Sequence, residues 1–109
     1  LLKKTTIEKG IQFYKKNNFD SLFSVTKIQK RFWNDKNKPY NHILTNSPTT
    51  QSLKILFEEN SGFYIFNRKT FLKKNNRIGS NPKLFEISKK ESIDIDDSED
   101  FEIVKKILS

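Results

Sequence analysis

The chain has 109 residues, 21 basic and 13 acidic side chains, a formal charge of +8, and 34% hydrophobic residues that include ten Phe, three Tyr and one Trp. This is about one small domain with a modest core. The lack of Cys removes disulfides, thiol catalysis and thiolate zinc sites, a single His42 leaves neither a His cluster nor an ordinary Ser-His-Asp triad, and no apolar run nears the roughly 20 residues of a membrane span.

No signal-peptide pattern is present, so a soluble cytoplasmic chain is expected. There is no Met, and the chain opens on Leu1-Leu2 as if cut from a longer polypeptide. It contains no Ala, 18 Lys against 3 Arg, and 11 Asn, the bias of an AT-rich coding sequence. That bias accounts for the positive charge without a nucleic-acid partner, and none is expected; nor is a membrane partner.

Thr5-Thr6-Ile7-Glu8 matches a capping box and predicts a helix carrying Ile7, Ile11 and Tyr14 on one face, stopped by Asn17-Asn18. Leu22 to Thr26 is a short apolar, β-prone run and predicts a buried strand. Residues 27–50 are polar and broken by Asn34-Asp35, Lys38-Pro39 and Ser47-Pro48. Ile28 to Trp33 and Tyr40 to Leu44 read as two arms of an extended hairpin around a turn at Asn34 to Pro39. Phe32, Trp33 and Tyr40 then either fold back on the parent core or meet another subunit.

Gly62 to Phe66 is the strongest strand signal. Asn67 is placed to cap a short helix through Lys74, with Phe71 and Leu72 inward. Asn75 to Pro82 reads as a loop, Lys83 to Ile87 as a strand, and Ser92 to Ile95 as another short strand. Asp97 then caps a final helix, with Asp100 at its N-terminus and Ile103, Val104, Ile107 and Leu108 as its apolar stripe. Alternating helices and strands favour an α/β layer.

Charge divides unevenly along the chain. Residues 1–83 carry 17 basic and 5 acidic side chains; residues 84–109 carry 4 and 8. On the expected strand Ser92 to Ile95, alternation would point Asp94 and Asp96 to one face. Neighbouring carboxylates repel unless a cation sits between them, and Mg²⁺ takes one or two carboxylates plus substrate phosphates. The other reading is that these aspartates face water and cap the helix that follows.

Four segments in order resemble the C-terminal half of the acylneuraminate cytidylyltransferases, the CMP-sialic acid synthetases. Glu91 to Asp96, followed by Glu99-Asp100-Phe101, is similar to the closing E-S-I-D-I-D-x-x-E-D-F signature. Asn60 to Phe66 resembles the N-G-A-x-Y-I-F strand. Phe71-Leu72-Lys73 and Asn76 to Gly79 resemble the F-L … N-R-I-G stretch, and Asp20 to Thr26 resembles the D-S-x-F-S-V-T strand.

The resemblance implies the C-terminal part of a Rossmann-like, three-layer α/β/α nucleotidyltransferase that joins CTP to an acidic nine-carbon sugar, releasing pyrophosphate. Residues 1–109 would form part of one cytidylyltransferase domain, with 27–50 as a protruding dimerisation arm of a homodimer. By matched position Asp94 and Asp96 would hold Mg²⁺, Gln51 and Tyr64 would line the sugar site, and Lys30 or Arg31 would reach the partner's site. Two matched positions differ: the arginine near Gln51 falls on Thr49, and the glycine after Asn60 falls on Ser61. The glycine-rich loop that cradles CTP has no counterpart, so activity is expected only with a further N-terminal half. The alternative is a non-catalytic interaction fragment or degenerate paralogue that uses the arm to dimerise.

Overall fold

A computed structural model describes residues 1–44 and 53–109. Among these the chain forms three helices and three strands in the order α1 (Lys4–Lys16), β1 (Ser21–Ile28), β2 (Leu56–Phe66), α2 (Arg68–Lys74), β3 (Pro82–Glu86) and α3 (Ser98–Leu108). The chain is therefore mixed α/β. It divides into two compact units, Leu1–Thr26 with Glu59–Ser109, and Lys27–Glu58.

In the larger unit β1 is the middle strand of a mixed sheet of order β2-β1-β3. It runs parallel to β3, with Leu22 opposite Lys83 and Phe23 opposite Leu84. The Ile87 amide extends this ladder to the Val25 carbonyl at 3.0 Å. A middle strand is covered on both faces, and residues 21–26 are all buried. Full burial of Leu22 and Val25 contributes about 1.5–3 kcal/mol each.

Helix α1 lies on the face that carries Phe63 and Phe85. Phe13 meets the Phe85 ring at 6.2 Å, and Phe63 meets it at 6.0 Å. The closest approach is at Gly10, the buried residue of α1, where an added Cβ would stand 2.9 Å from the Phe63 ring. Glycine is what lets helix and sheet touch there. Ile11, expected on the inner face, is 37% exposed instead.

Polar groups inside the sheet are all paired. The Ser24 hydroxyl donates to Asn60 Oδ1 at 2.6 Å and accepts from the Phe63 amide at 3.0 Å, and Asn60 Nδ2 donates to Thr26 Oγ1 at 2.9 Å. Among the described residues no buried side-chain polar atom lacks a partner, as the cost of an unmet buried group requires.

Several expectations from the sequence need correction. Helix α1 starts at Lys4 with Lys3 as its N-cap residue and no side-chain cap of its own. The Thr5/Glu8 capping box does not form, because a carboxylate distant in sequence, Glu91, takes that place. Phe71 and Leu72 point outward, 41% and 67% exposed, and Thr70 is the buried residue of α2. Its hydroxyl bonds the Asp20 carbonyl at 2.9 Å, so a polar anchor sets the rotation of this one-sided, seven-residue helix. Ser92 to Ile95 forms no strand. Residues 88–92 turn back on themselves, with the Ser92 amide bonding the Ser88 and Lys89 carbonyls at 3.2 Å each, and alternation without a neighbouring strand makes no sheet. In α3 only Val104 of the expected stripe is buried; Ile103 and Leu108 are 46% and 72% exposed.

The smaller unit holds a tight turn rather than an extended hairpin. A single antiparallel bridge joins Trp33 and Pro39, closed by Asn34 N to Lys38 O at 2.9 Å and Tyr40 N to Phe32 O at 2.8 Å. Asn37 sits at φ 62°, a conformation asparagine tolerates in turns. Asn41 braces both arms, accepting from the Phe32 amide at 2.9 Å and donating to the Lys30 carbonyl at 2.7 Å.

Candidate functional site

Strand β2 is kinked at its middle, and the kink builds one wall of a cleft. Ser61 lies at φ 59°, the left-handed region that glycine adopts freely and serine rarely does. Asn60 Oδ1 accepts the Gly62 amide at 3.0 Å as well as the Ser24 hydroxyl, which holds the kink against β1. A Cβ at Gly62 would stand 2.8 Å from Ser24 Oγ and 3.1 Å from Asn60 Oδ1, so a larger residue would disturb that lock.

The opposite wall is residues 91–94, held by Glu91. Its carboxylate accepts the Thr6 hydroxyl at 2.6 Å and the Lys3 amide at 3.1 Å, so it caps α1 from a distance. The Thr6 hydrogen bond holds the Glu91 carboxyl below its ordinary value, overcoming burial, which acts to raise it; the Lys3 amide and charge and the Ser88 hydroxyl add to the lowering.

Between these walls lies a cleft of about 190 Å³ lined by Leu1, Leu2, Asn60, Ser61, Gly62 and Asp94, among others. That is below the roughly 300–1,000 Å³ of small-molecule pockets. Residues 91–94 follow β3, and the N-terminus of α1 comes with them. The cleft therefore sits toward the carboxyl ends of the parallel strands, where open α/β sheets bind their ligands.

Asp94 is exposed on this cleft. Asp96 does not line it: the Asp96 backbone amide donates to Asp100 Oδ2 at 3.1 Å, while Asp97 Oδ1 accepts the Asp100 amide at 2.8 Å. The expected cap at Asp97 forms as read from the sequence. Without a strand at 92–95, no alternation sets Asp94 and Asp96 on one face. Among the described residues no group of three or more His, Cys, Asp or Glu gathers in metal-ligating reach. A protein-only cage is therefore missing there, but Mg²⁺ commonly uses one or two carboxylates and takes its other ligands from water and phosphate oxygens. Of the two aspartates that the resemblance implies as ligands, Asp94 lines the cleft and Asp96 does not.

Tyr64 joins this edge through Ser61, whose Oγ stands 3.4 Å from the phenol oxygen. The phenol donates to the Glu59 carboxylate. The Tyr64 ring stacks on Phe23 at 6.1 Å, and the Arg77 guanidinium covers it at 4.1 Å from the centroid. Lys30 and Arg31 belong to the smaller unit. Gln51 and Thr49 lie outside the described residues.

Two roles were hidden in the sequence. Glu91 as the cap of α1 leaves no local trace, because its partners are 85 and 88 positions away. Asn60 as the lock of the kink had a signal: Asn-Ser-Gly is turn chemistry, and inside a strand it marks a bulge or close backbone approach. A comparison with models of known protein families finds no match, and a comparison with curated proteins finds none either.

Proposed function

We propose that the chain is the C-terminal part of a Rossmann-like cytidylyltransferase that activates an acidic nine-carbon sugar with CTP. The observation that carries this reading is a convergence. Two of the segments that resemble the family, Asn60-Ser61-Gly62 and Glu91 to Asp94, are some thirty residues apart and line one cleft. A second point supports it: the family's glycine falls on Ser61, and Ser61 has the positive φ that glycine suits.

In this proposal Asp94 would hold Mg²⁺, and the ion would supply charge neutralisation at the nucleotide's phosphates. Asp96 is the second expected ligand and reaches the ion only if residues 94–97 rearrange. Tyr64 keeps its expected place by the sugar, held by Phe23, Arg77 and Glu59 so that its exposed edge would be the part to meet a ligand. The protein's own contribution is positioning and fixed charge, which carry most of the catalysis in phosphoryl-type transfer. Gln51, Lys30 and Arg31 keep their roles as expectations of the resemblance.

The test uses a polypeptide that includes a glycine-rich CTP loop ahead of Leu1. Asp94→Asn is expected to lower Mg²⁺-dependent CMP-sugar formation by at least about a hundredfold, with unchanged circular dichroism. Asp96→Asn should follow if the loop rearranges. Full turnover in Asp94→Asn would refute the metal assignment.

One observation favours the alternative, an interaction fragment. In the smaller unit Trp33, Tyr40, Ile43 and Leu44 are 53%, 70%, 69% and 60% exposed, more apolar surface than a free turn needs. A homodimer arm at 27–50 is common to both readings, which part over whether the chain takes part in catalysis.

A further inference from the structure

A second cleft, of about 350 Å³, opens at the other end of the parallel strands. Asp20 immediately precedes β1, Ser80 and Asn81 precede β3, and α2 forms the remaining wall. Three lysines are among the residues that line it, Lys69, Lys73 and Lys74. Lys69 and Lys73 are four apart on one helix, a spacing at which like charges repel. None of the three has a carboxylate within ion-pair distance among the described residues.

Asp20 is the cleft's one carboxylate, and it is held by the backbone and by Ser21 rather than by a lysine. Its oxygens already accept the Asn81 amide at 3.0 Å and the Ser21 hydroxyl at 2.9 Å. Burial acts to raise its pKa, and the hydrogen bonds from Asn81, Ser21 and Ser80 outweigh it and leave the group lowered. Asn67 spends its oxygen on the Thr70 amide at 2.7 Å, which leaves its side-chain NH₂ to donate. With Ser80 and three lysines against one carboxylate, the cleft keeps a net positive charge and several donors.

We propose that this cleft binds a multivalent phosphate anion, held by Lys69, Lys73 and Lys74 with Asn67 and Ser80 as neutral donors. A pyrophosphate-sized group offers three lysines more charge and more acceptor oxygens than a single phosphate does. The site is separate from the Asp94 cleft and does not depend on the cytidylyltransferase reading.

The test is titration of the 109-residue chain with inorganic pyrophosphate, followed by amide NMR shifts and run at constant ionic strength. Saturable shifts confined to residues 67–75 and 80–81 are expected, with inorganic phosphate binding at least fivefold more weakly. Lys69→Gln/Lys73→Gln should weaken pyrophosphate at least fivefold. Lys89→Gln/Lys90→Gln, which removes the same charge elsewhere, should change it less than twofold. Lys74→Gln serves if the double variant loses its fold by circular dichroism. A nucleoside 5′-diphosphate that binds as pyrophosphate does assigns recognition to the phosphates; tighter binding with a shift at Phe19 assigns a nucleotide, and either supports the site. Shifts that follow ionic strength alone, or equal weakening in both double variants, would overturn it.

Discussion

Ser61 is where a single side chain works against its own backbone. At φ 59° a Cβ crowds the following carbonyl at a cost of about 1–2 kcal/mol, which Asn60 and the surrounding strands hold in place. Ser61→Gly removes the crowding, although it also loosens the unfolded chain. The expected net effect is a gain of about 0.5–1 kcal/mol in stability, read from urea unfolding. A loss of stability would mean that the Ser61 hydroxyl's approach to Tyr64 contributes more than the strain costs. The neighbouring Gly62 is the opposite case. Gly62→Ala meets Ser24 Oγ and Asn60 Oδ1 on the buried side, and a loss of about 1–3 kcal/mol is expected. A midpoint in urea equal to that of the parent chain would contradict the close approach.

At the scale of elements, helix starts differ in how they are satisfied. Helices α2 and α3 carry their own caps, Asn67 and Asp97, each bonding the amide three residues on. Both were legible in the sequence because the signal lies within four residues. So was β1, whose run of apolar and β-branched residues is covered on both faces. Helix α1 has a local motif that is not used and a distant carboxylate that is. A sequence window cannot see that Glu91 arrives there, nor that Ser92 to Ile95 finds no strand beside it. The candidate site suffers from the same limit: the residue types of the Asp94 cleft were visible, but their meeting depends on a turn at 88–92. Replacing Glu91 by Gln keeps the shape and removes the charge. A loss of about 0.5–2 kcal/mol is expected, as for other helix caps, with fraying of residues 4–7 seen by amide exchange. No change in exchange at α1 would show that water serves the helix end equally well.

For the molecule as a whole, acid is the condition to which the described hydrogen bonds respond. Asp20 and Glu91 both have lowered carboxyl pKa values in the folded chain. Their contribution is fully present above the ordinary carboxylate pKa and is lost as pH falls through the folded values. Stability should hold from neutrality down to about pH 5 and fall below about pH 4, and the fall should be shallower in Asp20→Asn. Equal slopes for parent and variant would remove Asp20 from that account. The exposed aromatic and aliphatic groups of the smaller unit make a separate prediction at this scale. If they form a dimer arm, Trp33→Ser/Tyr40→Ser should shift the sedimenting species from dimer to monomer; a monomer in the parent chain would reject the arm. Among the described residues no helix is long and apolar enough to cross a membrane.

Leu1 and Leu2 stand in the wall of the Asp94 cleft, and Lys3 is fastened to Glu91 just beside them. Any polypeptide joined ahead of Leu1 must depart from the lip of that hollow. A purification tag fused there would crowd Asp94, whereas one fused after Ser109 would not meet the same wall.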